Sequence, residues 1–266
     1  MATKVEFEGA TGARLSALLD LPDGDIKGFG LFAHCFTCSK NYRVIHVIAK
    51  QLAKEGIALL RFDFTGLGES GGEFADTTFA TNTRDLVAAA NFLATEYEAP
   101  KLLAGHSLGG AAVLNAAHMV PSAKAVAVIG APCSPEHVIR NLIGPALLSG
   151  GDSPSPFRSD ETGRAGEGHL EVSIGGRPFR ISREFIDDLD QHDMEQRIAN
   201  LGRPLMVFHS PVDTIVGVEN AACIFEAARH PKSFVSLDTA DHLVSDARDA
   251  EFLGHVLSAW AGYYLR

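Results

Sequence analysis

The sequence is short of cysteine, of positive charge and of long apolar runs, and each shortage excludes a class of protein. Four cysteines in 266 residues are too few for a disulfide scaffold, the device of small secreted folds with thin cores. They are expected as thiols in a reducing compartment. Lys and Arg number 23 against 33 Asp and Glu, a net charge of −10, and no basic cluster offsets the excess locally. Nucleic acid and anionic membrane surfaces are thereby disfavoured as partners, since both are bound by neutralising phosphates. No stretch approaches the roughly 20 apolar residues of a bilayer span. Met1 to Asp20 is charged throughout, without the apolar core of a secretion signal. The expected location is the cytoplasm. With 46% hydrophobic and 21% charged residues, the composition is that of an ordinary folded chain.

What is present is an alternation of short apolar runs with longer amphipathic ones, the pattern of parallel βαβ units. Lys4 to Glu8 and Arg14 to Asp20 alternate apolar and polar residues across Gly9-Ala10-Thr11-Gly12, which predicts an antiparallel hairpin at a sheet edge. Buried strands are predicted at Gly30 to Ala33, Ile57 to Phe62, Leu102 to Ala104, Ala125 to Ile129, Leu205 to Phe208 and Phe234 to Leu237. With the hairpin these make eight. Helices are predicted at about Val44 to Lys54, Thr81 to Tyr97, Leu108 to Met119, Glu219 to Ala228 and Ala250 to Tyr264. In the last, Phe252, Val256, Trp260 and Tyr264 recur every four residues and give one apolar face. From Pro132 to Asn200 the rhythm stops, so the chain is expected as one domain over 1–266 with a cap insertion at about 134–200. Within the insertion, alternation at Leu170, Val172 and Ile174 and at Phe179 and Ile181 flanks Gly175-Gly176, predicting a hairpin, and one helix from Ser182 to about Ile198 should follow.

Two segments carry a G-x-S-x-G nucleophile pattern, Gly68-Glu69-Ser70-Gly71-Gly72 and Gly105-His106-Ser107-Leu108-Gly109. The motif works only where a strand runs straight into the serine and a helix starts straight after it, because that sharp turn lifts the hydroxyl above the sheet. Leu102 to Ala104 and Leu108 to Met119 supply both around Ser107. Ser70 is followed by a loop composition instead. Gly105 and Gly109 fit the elbow because side chains there would collide across the turn.

A serine hydroxyl needs a base and a group that orients the base. In a sheet of this kind the three come from loops at the carboxyl ends of strands, in the chain order serine, acid, histidine. Of eleven histidines, His242, between the strand Phe234 to Leu237 and the last helix, meets the requirement. Asp213, in the loop after Leu205 to Phe208, is the best acid, with Glu136 and Asp241 as rivals. An oxyanion hole needs two backbone N–H groups. Leu108 supplies one from a helix start and Phe36, in the loop after Gly30 to Ala33, the other, with His34 bracing that loop. His106 supports the elbow.

These residues resemble those of the serine-dependent α/β-hydrolases, over about Gly28 to Arg266. His34-Cys35-Phe36-Thr37-Cys38-Ser39-Lys40 and Gly175-Gly176-Arg177-Pro178-Phe179 are similar to the bacterial members often fused to an OsmC-like domain, which these 266 residues do not contain. The resemblance implies an eight-stranded, mostly parallel sheet with helices on both faces. It also implies a carboxylesterase using Ser107, Asp213 and His242, without cofactor or metal; a cap over the site and the net charge of −10 point to small neutral esters of short to medium acyl chain. A thioesterase or a carbon–carbon bond hydrolase on the same triad is the enzymatic alternative. Functional association with an OsmC-like protein and a homodimer are further expectations. A different class is raised by Cys35-x-x-Cys38, whose spacing after a strand is also that of a thiol redox centre.

Overall fold

Strands that bury both faces must be covered by helices on both sides, and their sequences here are apolar nearly throughout. The computed structural model describes residues 2–35, 38–134, 169–174, 177–189 and 191–265, and the side chains of all of these except 169–179. Eight strands form one sheet in the order β1-β2-β4-β3-β5-β6-β9-β10. They are β1 (Ala2–Glu8), β2 (Arg14–Asp20), β3 (Gly28–Ala33), β4 (Ile57–Phe62), β5 (Leu102–His106), β6 (Ala125–Ile129), β9 (Leu205–His209) and β10 (Lys232–Ser236). β2 runs antiparallel to both its neighbours, and all pairs from β4 onward are parallel. The chain steps outward from β3 to β4, then crosses back to β5. The switch point therefore lies between β3 and β5, where a doubly wound sheet opens a crevice at its carboxyl edge.

Alternate residues of each strand enter opposite cores. Leu31, Leu60, Leu103, Val126 and Val207 pack with α2 (Phe79–Glu96), α3 (Leu108–Ala116) and α6 (Glu219–Ala227). Phe32, Leu59, Ala104, Ala127 and Phe208 pack with α1 (Arg43–Lys54) and α7 (Ala247–Tyr264). Every residue of α3 is buried, which is why its sequence, Leu-Gly-Gly-Ala-Ala-Val-Leu-Asn-Ala, has no polar face. Thr78 caps α2 through a reciprocal capping box with Thr81, and the Asp246 side chain caps α7 by accepting from Arg248 N–H. Each satisfies donors that a helix start otherwise leaves open.

After β6 the hairpin β7 (His169–Ile174) and β8 (Arg177–Ser182) forms a separate two-stranded sheet. The expected turn at Gly175-Gly176 lies outside the described residues, as does the side chain of Phe179. The single helix expected over Ser182 to Ile198 is instead two, α4 (Arg183–Leu189) and α5 (Met194–Ala199). Asp193 is the reason: its carboxylate accepts from Gln196 N–H at 2.9 Å and so begins a new helix, a role aspartate fills better than it fills a helix interior. Ile181, Phe185, Leu189 and Ile198 are buried in the main core, and Asp188 accepts from Ala80 N–H at the start of α2. These apolar residues seat the segment on the sheet's helices.

Two further expectations are corrected. β10 begins at Lys232 and ends at Ser236, and Phe234 is 43% exposed; it is an edge strand, so the pattern of a fully buried strand does not apply to it. The four cysteines are not free thiols but two disulfides, Cys35–Cys38 and Cys133–Cys223. The second joins the end of β6 to α6 across a separation of 90 residues, a proximity made by the fold and invisible in local spacing.

Candidate active site

Ser107 stands between β5 and α3 with φ 55° and ψ −127°, a conformation that costs a non-glycine residue about 1–3 kcal/mol. Its own N–H donates to Ile129 O on β6 at 2.8 Å, which ties the strained turn to the sheet. A Cβ at Gly105 would lie 2.4 Å from Gly109 O, and one at Gly109 would lie 2.4 Å from the carbonyl oxygens of both Ala33 and His34. Both contacts are with backbone, so no side chain fits at either position. Leu108 is the first residue of α3, where the N–H groups have no partner within the helix. Phe36 lies outside the described residues.

Ser107, His242 and Asp213 are brought together from three loops at the carboxyl edge of the sheet. His242 Nε2 is 3.0 Å from Ser107 Oγ, and His242 Nδ1 is 2.7 Å from Asp213 Oδ2. The other carboxylate oxygen of Asp213 accepts from the N–H groups of Ile215 and Val216, at 2.9 and 3.0 Å. Burial pushes the Asp213 carboxyl up, but the hydrogen bond and charge of His242 and the two amides outweigh it and hold the group below its ordinary value. It is therefore ionised around neutral pH, and an ionised carboxylate can only accept, so the proton of the neutral imidazole sits on Nδ1. Nε2 is then the lone pair that faces the serine. Asp241, the rival acid, is exposed and accepts from Ser245 N–H; Glu136 lies outside the described residues.

Two buried histidines hold the loops that carry this chain. His106 Nε2 donates to the backbone oxygen of His242 at 2.7 Å. Burial above all, with the neighbouring His242, pushes its pKa down to about 3, so the ring is neutral. His209, at the end of β9, donates through Nε2 to Val216 O at 2.8 Å, closing the turn around Asp213. His209 precedes the acid in the chain and so falls outside the order serine, acid, histidine. Its role as a brace has one weak signal, a histidine ending an apolar strand, and its partner is a carbonyl that any residue would supply.

Ser70 serves a different end. Its hydroxyl donates to Asp63 O at 2.6 Å and accepts from Ser16 N–H at 2.9 Å, so both its capacities are spent on joining β2 to the loop after β4. Asp63 in that loop is fully buried and accepts from Lys40 Nζ at 2.5 Å, Lys40 N–H at 2.6 Å and Glu69 N–H at 2.9 Å. His34, also buried, donates from Nδ1 to Cys35 O, and its Nε2 lies 3.4 Å from Asp63 Oδ1. Burial raises the Asp63 pKa, but His34, the Glu69 amide and Lys40 outweigh it and leave the carboxyl well below the ordinary carboxylate range. One carboxylate thus fixes the loops after β3 and β4 against each other.

Lys40→Met strands this carboxylate without its ammonium. The expected loss is about 3–5 kcal/mol of unfolding free energy in urea at pH 7; a change under ~1 kcal/mol would show that the pair contributes as little as an exposed one. Because the folded pKa of Asp63 is depressed, its contribution is complete above the ordinary value of 3.8 and is lost as pH falls toward the folded value. The wild-type chain should therefore lose stability below about pH 4, more steeply than Asp63→Asn.

Beside the acid loop lies a cavity of about 570 Å³ lined by Cys133, Ser134, Met194, Ile215 and Val216, with Asp193, Glu195 and Glu219 on its wall. Among the described residues, no helix is long and apolar enough to cross a membrane.

The sequence pattern of the family described as serine aminopeptidase, S33, matches residues 37–246. A solved structure, the esterase domain of a Rhodothermus marinus protein, is 49% identical, covers 100% of each chain and superposes with a TM-score of 0.80. The monoacylglycerol lipase of Mycolicibacterium smegmatis is 27% identical, covering 83% of this chain and 82% of the lipase. The mitochondrial palmitoyl-protein thioesterase ABHD10 of Mus musculus is 25% identical over 74% of this chain, which spans 63% of the thioesterase's length.

Proposed function

Since the chain belongs to the serine aminopeptidase S33 family of α/β-hydrolases and is a serine hydrolase that cleaves carboxylic esters, we propose that Ser107, His242 and Asp213 are its nucleophile, base and acid. The supporting observation is the continuous hydrogen-bonded chain from Ser107 Oγ through His242 to Asp213. Ser107 Oγ attacks the ester carbonyl while His242 Nε2 takes its proton. The negative charge that develops on the carbonyl oxygen is met by the N–H groups of Leu108 and Phe36. His242 then passes the proton to the departing alcohol, leaving an acyl group on Ser107. Water attacks in turn, its proton going to His242, and the acid product leaves. Asp213 stays ionised and stabilises the imidazolium in both halves.

The domain reading is one hydrolase unit over 1–266 with a cap at 134–200. It is supported by the seating of α4 and α5 on the core of the main sheet. The substrate reading is a neutral ester with a short to medium acyl group. A charge of −10 and three carboxylates on the cavity beside the acid loop repel an anionic acyl carrier. A thioester is the second reading, favoured by the similarity to a palmitoyl-protein thioesterase. Action in the cytoplasm, as a homodimer and in association with an OsmC-like protein completes the proposal, resting on composition and motif resemblance.

The test is kcat/KM across nitrophenyl esters of increasing acyl length, beside an acyl-CoA and a diketone. The expected maximum is at short to medium esters. Fastest turnover of the acyl-CoA or the diketone, or a maximum at long chains, would overturn the substrate assignment and leave the triad standing.

A further inference from the structure

The mechanism leaves unused the sulfurs of Cys35 and Cys38 and one nitrogen of His106. These three donor atoms come from the ends of adjacent strands, β3 and β5, and all lie within 4.8 Å of one another. Cys35 and His106 are buried and Cys38 is partly so. A disulfide alone needs no third donor. Here the third belongs to a ring whose tautomer is set: His106 Nε2 donates to the His242 carbonyl, so the lone pair of the ring is on Nδ1. A histidine whose other N–H is held by a backbone carbonyl is the usual arrangement for a metal ligand, since that bond fixes both tautomer and ring direction.

We propose that, once its disulfide is reduced, the Cys35/Cys38/His106 cluster binds one soft cation of the Zn²⁺ or Cd²⁺ kind and that the bound cation slows ester hydrolysis. Reduction by a phosphine takes two electrons from phosphorus and two protons from water, converting the disulfide to two thiols and the phosphine to its oxide; a dithiol supplies both electrons and protons and becomes a disulfide. Binding then releases two protons as both sulfurs become thiolates. Two thiolates and an imidazole suit these cations, and three protein ligands leave a fourth position for water. The coupling to activity is geometric. Sulfurs about 2.0 Å apart in a disulfide must separate to about 3.8 Å to span an edge of a tetrahedral site with metal–sulfur bonds of about 2.3 Å. The loop after β3, beside the elbow, must widen to allow it. The cation also fixes His106, which carries the hydrogen bond to the His242 loop and is followed directly by Ser107.

The experiment titrates Cd²⁺ into the whole chain reduced with a phosphine. One equivalent should produce thiolate-to-metal charge-transfer absorption, and hydrolysis of a nitrophenyl ester should fall at least tenfold at saturation and return on chelation. Cys38→Ser, checked for folding by circular dichroism, should lose the absorption, and His106→Gln should bind at least tenfold more weakly. The oxidised wild-type chain should not bind, which keeps the test decisive if a variant fails to fold. No charge-transfer band in the reduced chain, an equal band in Cys38→Ser, equal binding after oxidation or full activity at saturation would each overturn the proposal. The absorption reads binding without reference to the triad, so its failure is distinct from failure of the proposed mechanism.

Discussion

Ser107→Ala lowers kcat for a nitrophenyl ester by at least ~10³-fold, while Ser70→Ala retains most of the activity. The contrast is decisive because both serines stand in a G-x-S-x-G pattern. The Ser107 hydroxyl is 3.0 Å from His242 Nε2, and removing it leaves no atom on which the acyl group can rest. Ser70 is bonded to Asp63 O and Ser16 N–H, so its loss is felt in stability, at about 1 kcal/mol per hydrogen bond. The same assay at 25 °C, with urea unfolding of both variants, separates the two effects. A folded Ser70→Ala chain without activity would transfer the nucleophile to the wrong loop and sink the assignment.

Asp213→Asn should cost about 10⁴ in kcat with little change in fold. Both oxygens of Asp213 are engaged: Oδ1 accepts from the amides of Ile215 and Val216, and Oδ2 from His242 Nδ1. An asparagine must keep its one oxygen toward the two amides, which can only donate. Its NH₂ then points at His242 Nδ1 and makes that nitrogen the acceptor. The imidazole proton moves to Nε2, facing Ser107, and the base has no lone pair for the serine proton. Asp213→Ala, which removes the acid without imposing the wrong tautomer, separates loss of charge from loss of tautomer. Activity of Asp213→Asn within tenfold of wild type would show that Asp213 does not orient the base.

The central strands were legible because burial on both faces leaves an uninterrupted apolar run, as in Ile57 to Phe62, bounded by turn residues. β10 starts two residues and ends one residue earlier than its apolar run, because an edge strand needs no such run and opens with Lys232 and Ser233. The break at Asp193 was hidden because a capping aspartate and a solvated helical aspartate look alike until the chain turns. Ser107, Asp213 and His242 could be picked out by one rule of position, the carboxyl ends of strands, which needs only strand order along the chain. The partners of the braces could not. His106 and His209 act on backbone carbonyls of residues 242 and 216, and a carbonyl leaves no mark in the sequence. Asp63 carries no such signal, because its burial with Lys40 depends on loops folding against each other.

The Cys133–Cys223 bond gives the chain a topology that its linear order does not. The chain between those two residues becomes a covalently closed ring that takes in β7 to β9 and Asp213 and is closed by the segment after β6 and by α6. In the chain-entropy account, closing a ring of 90 residues removes about 4–5 kcal/mol of freedom from the unfolded chain. A single cut within the ring therefore leaves both of its ends, and Asp213 with them, tethered to the strands that carry Ser107 and His242. Variation in what the hydrolase accepts can accumulate between β6 and β9, within the ring, while β9, also within it, keeps its place between β6 and β10.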